Sequence, residues 1–223
     1  MHIKKCFLIR IRKMFKKIII LILGIFTLTS TSNRYIHIIR HGEKLKDRDF
    51  GLSPIGVKHA ECLAGYYFHN FPTGRPDFAI SKMSPTERPV ETMNIIASKL
   101  NINSIHLSSH SKINEISSII LEKLNTHNSI LIVWENTFIP KLAQKLGCVS
   151  CLAWNYEPTS KHHDAALFNS TWTLIYPNKK LYHISKVPNY NVEFMDYDQN
   201  FQQINGTWIC MNPYTYFYRE YKR

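Results

Sequence analysis

A short apolar run that ends in the tetrapeptide Arg-His-Gly-Glu, at residues 40–43, constrains the fold of this chain more than any other segment. The run, residues 35–39, is rich in β-branched side chains and bounded by polar residues, which predicts a buried strand. The tetrapeptide follows where that strand opens into a loop, and α/β sheets carry their chemistry at this edge. An arginine can donate two hydrogen bonds to phosphate oxygens, and a neutral imidazole can attack phosphorus. The segment therefore predicts an α/β fold with a phosphate-binding loop.

Two further segments follow in order along the chain. Residues 52–56 read Leu-Ser-Pro-Ile-Gly, in which Ser53 can cap a helix whose apolar residues recur at three- and four-residue spacing. Residues 84–92 read Ser-Pro-Thr-Glu-Arg-Pro-Val-Glu-Thr and follow a strand predicted at residues 77–83. Together with the Arg-His-Gly loop, these segments resemble the histidine phosphatase superfamily, which has a phosphoglycerate-mutase-like fold. The resemblance extends over about residues 35–176.

The resemblance implies roles for three residues and a site that needs no metal or organic cofactor. His41 is expected to be the nucleophile that becomes phosphohistidine, and Arg40 and Arg88 are expected to bind the phosphoryl oxygens. Such cations are needed because the negative charge of a phosphate monoester repels nucleophiles. The leaving alcohol also needs a proton donor.

The chain departs from the superfamily pattern at the second histidine, which usually follows the central strand. Here a strand predicted at residues 129–134 is followed by Glu135 and Asn136, and either residue stands at the histidine position, depending on the register chosen. Asn136 can still donate an amide hydrogen bond to a phosphoryl oxygen, and a protonated Glu135 can act as the general acid. The predicted site is therefore His41 and Glu135 as catalytic residues, with Arg40, Arg88 and Asn136 binding phosphate.

Other titratable residues have simpler interpretations. Glu115 is a second candidate for the general acid, although an exposed carboxylate at a helix start is the commoner finding. His162-His163-Asp164 precedes the last strand, and a polar loop explains it more readily than an acid/base pair. His37 lies within the first strand and is predicted to be a hydrogen-bonded core or edge histidine. The remaining histidines show no metal-ligand spacing, so no metal site is predicted.

Strands and helices alternate along the chain. The run at residues 129–134 is continuously apolar, as expected of a central strand that is covered on both faces. This alternation predicts a three-layer α/β/α sandwich with a mainly parallel sheet. Strands are predicted at residues 35–39, 77–83, 104–107, 129–134 and 171–176, and helices from Ser53 and at residues 90–100, 113–124 and 139–146.

The first 32 residues have the layout of a secretory signal. Seven basic residues and no acidic one precede an apolar stretch at residues 18–28, which is too short to cross a bilayer comfortably. A secreted or periplasmic protein is the expectation, with a membrane anchor at residues 18–28 as the alternative, and N-terminal sequencing of the mature protein would decide. Without the leader, 21 basic residues face 16 acidic ones, a net charge of about +5. This modest charge does not suggest a nucleic-acid partner, and no stable membrane span is expected after cleavage.

The remaining residues suit one domain, predicted at residues 33–180, with an aromatic-rich extension at residues 181–223 packed on it as an extra strand or hairpin. Four cysteines follow the leader and permit one or two disulfides in any of three pairings. The Cys-x-x-C pair among them cannot by itself make a four-ligand zinc site, so a structural disulfide or unused thiols are favoured. The four are Cys62, Cys148, Cys151 and Cys210.

Two functions follow as hypotheses. The first is an exported phosphomonoesterase that acts through a phosphohistidine on His41, with a small phosphorylated molecule or a phosphoprotein as its partner. The alternative is a catalytically impaired relative that binds a phosphorylated or other anionic ligand, because Glu135 and Asn136 stand where a histidine is usual.

Overall fold

The computed structural model describes residues 33–44, 50–83, 86–149, 151, 170–177, 192–199 and 201–210. Among the residues named above, the leader at residues 1–32, the motif residues Ser84 and Pro85, the histidine loop at residues 162–164, and residues 181–191, 200 and 211–223 of the C-terminal extension lie outside these ranges. None of the helices in the described ranges is long and apolar enough to cross a membrane.

The centre of the fold is a six-stranded sheet in the order β3-β2-β4-β1-β5-β6. Strands β1 to β4 run parallel to one another, whereas β5 pairs antiparallel with β1, and β6 pairs antiparallel with β5. The predicted mainly parallel sheet is therefore confirmed. The strands are β1 Arg34–Arg40, β2 Phe78–Lys82, β3 Asn103–Leu107, β4 Ser129–Trp134, β5 Ser170–Tyr176 and β6 Glu193–Asp198.

Helices cover both faces of the sheet. They are α1 Pro54–Cys62, α2 Arg88–Leu100, α3 Ile113–Leu124 and α4 Ile139–Lys145. Alternate residues of the central strand β4 divide between two cores, because successive side chains of a strand point to opposite faces. Ile132 packs with residues of α3 and α4, and Val133 packs with residues of α1 and α2. The predicted three-layer α/β/α sandwich is confirmed by these two separate cores.

His37 lies in the middle of β1 and is completely buried. Its two ring nitrogens each lie 3.0 Å from a hydroxyl, Nδ1 from that of Thr173 and Nε2 from that of Ser129. Burial lowers the pKa of His37 to about 3, so the ring is neutral at physiological pH. This is the hydrogen-bonded core histidine that the sequence predicts.

The C-terminal extension adds strands to the body of the protein. Strand β6 pairs with β5 at the edge of the main sheet. A separate hairpin of β7, Phe201–Ile204, and β8, Thr207–Cys210, follows it. Residue Phe201 of this hairpin is buried against helix α1, where its ring stacks on that of His59.

Two of the four cysteines that follow the leader pair with each other. Cys148 and Cys151 form a disulfide just after α4, and both are fully buried, which is the structural interpretation of this Cys-x-x-Cys pair. Cys62, at the end of α1, is also disulfide-bonded. Its partner is not among the described side chains.

Candidate active site

His41 lies at the carboxyl edge of the sheet, immediately after β1. Its backbone N–H donates to the carbonyl of Trp134, 3.1 Å away, so the loop starts from the junction of β1 and β4. The side chain is only 3% exposed, and Nδ1 lies 2.7 Å from the carbonyl oxygen of Gly42. A carbonyl only accepts, so Nδ1 carries the proton of the neutral ring and Nε2 keeps its lone pair. His41 is therefore held in the tautomer that a nucleophile attacking through Nε2 requires.

The surroundings of His41 favour the neutral ring. Burial lowers the pKa most, and the positive charges of Arg40 and Arg88 lower it further. The Gly42 carbonyl and the charge of Glu43 oppose these effects, and the resulting pKa is about 4. Both guanidinium groups thus act electrostatically on the His41 ring, as expected of residues that would bind the oxygens of a phosphoryl group at this ring.

The low pKa of His41 gives a direct prediction. Because the folded-state value lies below the ordinary one of about 6.5, the ring stays neutral as the pH falls from 7 to 5 and takes up a proton only near pH 4. Nitrogen-15 NMR of histidine-labelled protein, with the His41 signals assigned by its substitution, should show this titration and a protonated Nδ1 above it. Replacing Arg88 with Met should move the midpoint upward, because a repelling positive charge is removed. A His41 midpoint near 6.5 would contradict the assigned electrostatics.

Helix α2 is tied to the Arg-His-Gly loop by a side chain. The backbone N–H of Gly42 donates to the hydroxyl of Thr92, 2.9 Å away, and Thr92 is 1% exposed. Arg88 and Thr92 are four residues apart and therefore lie on the same side of the helix. The contact that holds Thr92 against Gly42 thus also brings Arg88 toward His41. Arg88 and Thr92 thus act from one side of α2, Thr92 on the backbone of Gly42 and Arg88 toward His41.

Arg88 is half-buried at the first residue of α2. Its Nε is buried and has no hydrogen-bond partner among the described residues. A buried donor of this kind is costly unless a ligand or water accepts from it. Arg88 is therefore suited to receive an anion. The predicted motif residue Ser84 lies outside the described ranges.

Helix α1 begins against the same loop through two glycines. A Cβ on Gly42 would lie 2.8 Å from the carbonyl oxygen of Gly56, and a Cβ on Gly56 would lie 2.4 Å from that of Glu43. The backbone N–H of Ser53 donates to the Glu43 carbonyl at 2.8 Å, and its hydroxyl caps the helix by accepting from Gly56 N–H at 3.0 Å. Two backbones approach this closely only without side chains between them. The Leu-Ser-x-x-Gly segment thus supports the Arg-His-Gly loop.

A pair of titratable residues joins the loop to α1, and the sequence analysis missed it. Nδ1 of His59 lies 3.0 Å from Oε1 of Glu43, and both side chains are largely buried. Burial alone would raise the pKa of Glu43, but the hydrogen bond and charge of His59 outweigh it and the net shift is downward. The only signal in the sequence was a histidine on the inner side of a predicted helix, which by itself does not identify its partner.

Glu135 and Asn136 follow β4 directly, and β4 is the parallel neighbour of β1. Arg40, the last residue of β1, pairs in register with Trp134, the last residue of β4. The residues that follow the two strands therefore lie at the same edge of the sheet. The structure thus brings Glu135 and Asn136 to the edge that carries His41, and both are half-buried. Glu115 is exposed in the first turn of α3, where the positive end of the helix dipole stabilises its carboxylate.

Lys82 is a further cation at this edge that the sequence analysis did not predict. It ends β2, on the other side of β4 from β1. Its ammonium lies 5.9 Å from the centroid of the Trp134 ring and 5.7 Å from that of Phe138. The signal in the sequence that could have identified Lys82 is a basic residue at the end of β2, a strand inside the sheet. Among the described residues there is no cluster of three or more His, Cys, Asp or Glu side chains that could hold a metal ion.

Comparisons with known proteins find likenesses of structure only. No protein-family model matches the chain, and no curated protein does. A putative phosphohistidine phosphatase SixA from Nakamurella multipartitia is 16% identical, with a TM-score of 0.46, and the match covers 73% of this chain and 93% of that one. The protein histidine phosphatase SixA complexed with tungstate is 14% identical, with a TM-score of 0.49, over 72% and 93%.

Phosphoglycerate mutase from Plasmodium falciparum is a third such structure. It is 13% identical, with a TM-score of 0.46, and the match covers 81% of this chain and 95% of that one. All three are likenesses of structure at low sequence identity.

Proposed function

We propose that this protein hydrolyses phosphate monoesters through a phosphohistidine formed on His41. The observation that carries the proposal is the state of that residue, which is buried and neutral, with Nδ1 donating to the Gly42 carbonyl and the lone pair left on Nε2. Arg40 and Arg88 act electrostatically on the same ring. A neutral nucleophile next to two fixed cations meets the main requirements for attack on a phosphate monoester.

The reaction has two steps in this proposal. Nε2 of His41 attacks phosphorus, the bond from phosphorus to the ester oxygen breaks, and a proton from Glu135 converts the leaving alkoxide into an alcohol. Water then attacks the phosphohistidine and gives a proton back to Glu135, the phosphorus–nitrogen bond breaks, and inorganic phosphate leaves. Arg40, Arg88 and Asn136 hold the phosphoryl oxygens throughout, so positive charge stays where negative charge develops.

The residues after β4 are Glu135 and Asn136 and not a histidine, so the positive charge at this edge has to come from another side chain. A histidine after β4 would add a positive charge, which neither Glu135 nor Asn136 supplies. Lys82 carries a positive charge at the same edge, held over the rings of Trp134 and Phe138. We propose that it supplies part of the missing positive potential.

A second candidate function is favoured by Glu135 and Asn136 themselves. An ionised Glu135 repels a phosphate, and an amide cannot replace a cation, so the site would bind an anionic or phosphorylated ligand without turnover. Hydrolysis of a chromogenic aryl phosphate in the presence of EDTA distinguishes the two functions. Steady turnover that EDTA does not affect supports the phosphatase, and phosphate binding without turnover supports the binding protein.

Both functions require an anion site that depends on Arg88. Replacing Arg88 with Ala should weaken vanadate or phosphate binding by about 2 kcal/mol, roughly 30-fold in Kd, because a charge-assisted contact is lost. Isothermal titration calorimetry measures this. Arg75→Ala is the matched control, since Arg75 is exposed in the segment before β2, at the opposite edge of the sheet. Equal affinities of wild type and Arg88→Ala, with both folded by circular dichroism, would remove Arg88 from the site.

A further inference from the structure

The buried pair formed by Glu43 and His59 has a third member on the C-terminal hairpin. The ring of Phe201 stacks on that of His59, with centroids 4.3 Å apart and planes inclined by 9°. Phe201 is 1% exposed and His59 is 2% exposed, so the stack is enclosed. Contacts therefore connect the hairpin to His59, and His59 to Glu43 of the catalytic loop.

The position of Glu43 affects that of the His41 ring because the two residues are nearly adjacent in the chain. Only Gly42 separates the two residues, and the Gly42 carbonyl accepts the Nδ1 hydrogen bond that sets the tautomer of His41. The backbone carbonyl of Glu43 also accepts from Ser53, so this residue is attached to α1 at both its backbone and its side chain. A movement of Glu43 would therefore displace the carbonyl that orients the nucleophile.

Packing alone does not require polar side chains at the positions of Glu43 and His59. The second carboxylate oxygen of Glu43, Oε2, and the second ring nitrogen of His59, Nε2, are buried without a hydrogen-bond partner among the described residues. Burying such groups is costly, and apolar side chains of similar volume are often at least as stabilising as a buried charged pair. Stability alone does not account for a carboxylate and an imidazole at this place. A directional hydrogen bond, which apolar packing lacks, does fix the position of the loop.

We propose that the C-terminal hairpin positions the nucleophile: Phe201 holds the ring of His59, His59 holds Glu43, and Glu43 fixes the loop that orients His41. The inference rests on the proposed function in so far as His41 is the nucleophile. Phe201, His59 and Glu43 are positioning residues, since the role assigned to them is exerted through His41. The hairpin, which lies outside the region that resembles the superfamily, thereby becomes part of the active site.

The test compares variants that lose the ring stack or the hydrogen bond with a variant that loses the same aromatic ring on the other face of the sheet. Phe201→Leu removes the stacked ring, His59→Leu removes the hydrogen bond, and His59→Asn retains an N–H donor near the position of Nδ1 for Glu43. Phe194→Leu is the control, because the partly buried Phe194 packs edge-to-face on Trp172, 5.3 Å between centroids, against the core on the opposite face of the sheet. Circular dichroism and thermal melts establish that each variant is folded at the assay temperature.

Phe201→Leu and His59→Leu should lower kcat for an aryl phosphate by about 10- to 100-fold with KM changed less than about threefold, because misplacing a reacting group impairs the chemical step more than binding. His59→Asn should retain kcat within about threefold, and Phe194→Leu should retain it even if its melting temperature falls. The His41 ring signals in nitrogen-15 NMR should shift in Phe201→Leu and in His59→Leu, and they should not shift in Phe194→Leu.

The NMR measurement keeps this inference separate from the proposed function. If the wild type shows no turnover but the His41 signals shift as expected, the positioning role stands and the phosphatase function fails. If the wild type turns over and the Phe201 and His59 variants match Phe194→Leu in kcat and in the His41 signals, the positioning role is wrong. Should Phe201→Leu not fold, the comparison of His59→Leu with His59→Asn decides alone.

Discussion

Replacing His41 with Ala should abolish phosphatase turnover, with a loss on the order of 1,000-fold or more in kcat/KM. The expectation follows from the proposed covalent step, in which Nε2 forms the bond to phosphorus and no other described group takes its place. The buried ring is held in the required tautomer by the Gly42 carbonyl, so neither a neighbouring side chain nor water can reproduce its attack. Steady-state hydrolysis of an aryl phosphate measures the loss, and mass spectrometry after an acid-free quench detects the phosphoryl adduct in the wild type only.

The control for this substitution is His110→Ala. His110 is exposed in the loop after β3, at the same edge of the sheet, and should be replaceable without effect. Turnover in His41→Ala equal to that of the wild type would show that the phosphohistidine mechanism is wrong. If the wild type itself is inert and Glu135→His or Asn136→His creates turnover, the binding function is favoured, because the restored histidine supplies the missing cationic donor.

The second large effect is expected from adding one methyl group to Gly56. Its Cβ would lie 2.4 Å from the carbonyl oxygen of Glu43 and 2.8 Å from the backbone nitrogen of the same residue. Both are backbone atoms, so neither can rotate away, and helix α1 must separate from the loop. Gly56→Ala should therefore lower the free energy of unfolding by about 1–3 kcal/mol. It should also reduce kcat by about 100-fold, because the loop that carries His41 is displaced.

Gly65→Ala is the matched control for Gly56→Ala. Gly65 lies in the wider helical turn that continues α1, Leu63–Tyr67, and a Cβ there would meet no atom within 4 Å. Since alanine is favoured over glycine in helical backbone, this variant should retain activity and change stability by no more than about 1 kcal/mol. Urea denaturation gives the two free energies. Equal stability and activity of Gly56→Ala and the wild type would mean that α1 does not support the catalytic loop as described.

Much of the fold was predictable because its signals are local. The β-branched run before Arg40 predicts a strand, and the observed strand β1 extends one residue beyond that run at each end. Ser53 was predicted to cap a helix, and its hydroxyl accepts from the N–H of Gly56 at 3.0 Å, three residues away. The continuous apolar run of β4 predicts a strand covered on both faces, and every residue of it is buried. Each of these features depends on residues that are neighbours in the chain.

The sequence by itself determined the helices and strands of this protein, their alternation and the residues that are able to react with a phosphate or bind it. These features depend on periodicity, capping and residue type, which are set by residues only a few positions apart. The tertiary structure decided how these residues meet. The hydrogen bond from Gly42 to Thr92 spans 50 residues, and the pair of His59 with Glu43 spans 16. The stacking of Phe201 on His59 comes from a segment that carries no motif. The low pKa of His41 likewise follows from burial and from charges brought together by folding, and these are properties of the packed site that local sequence does not specify.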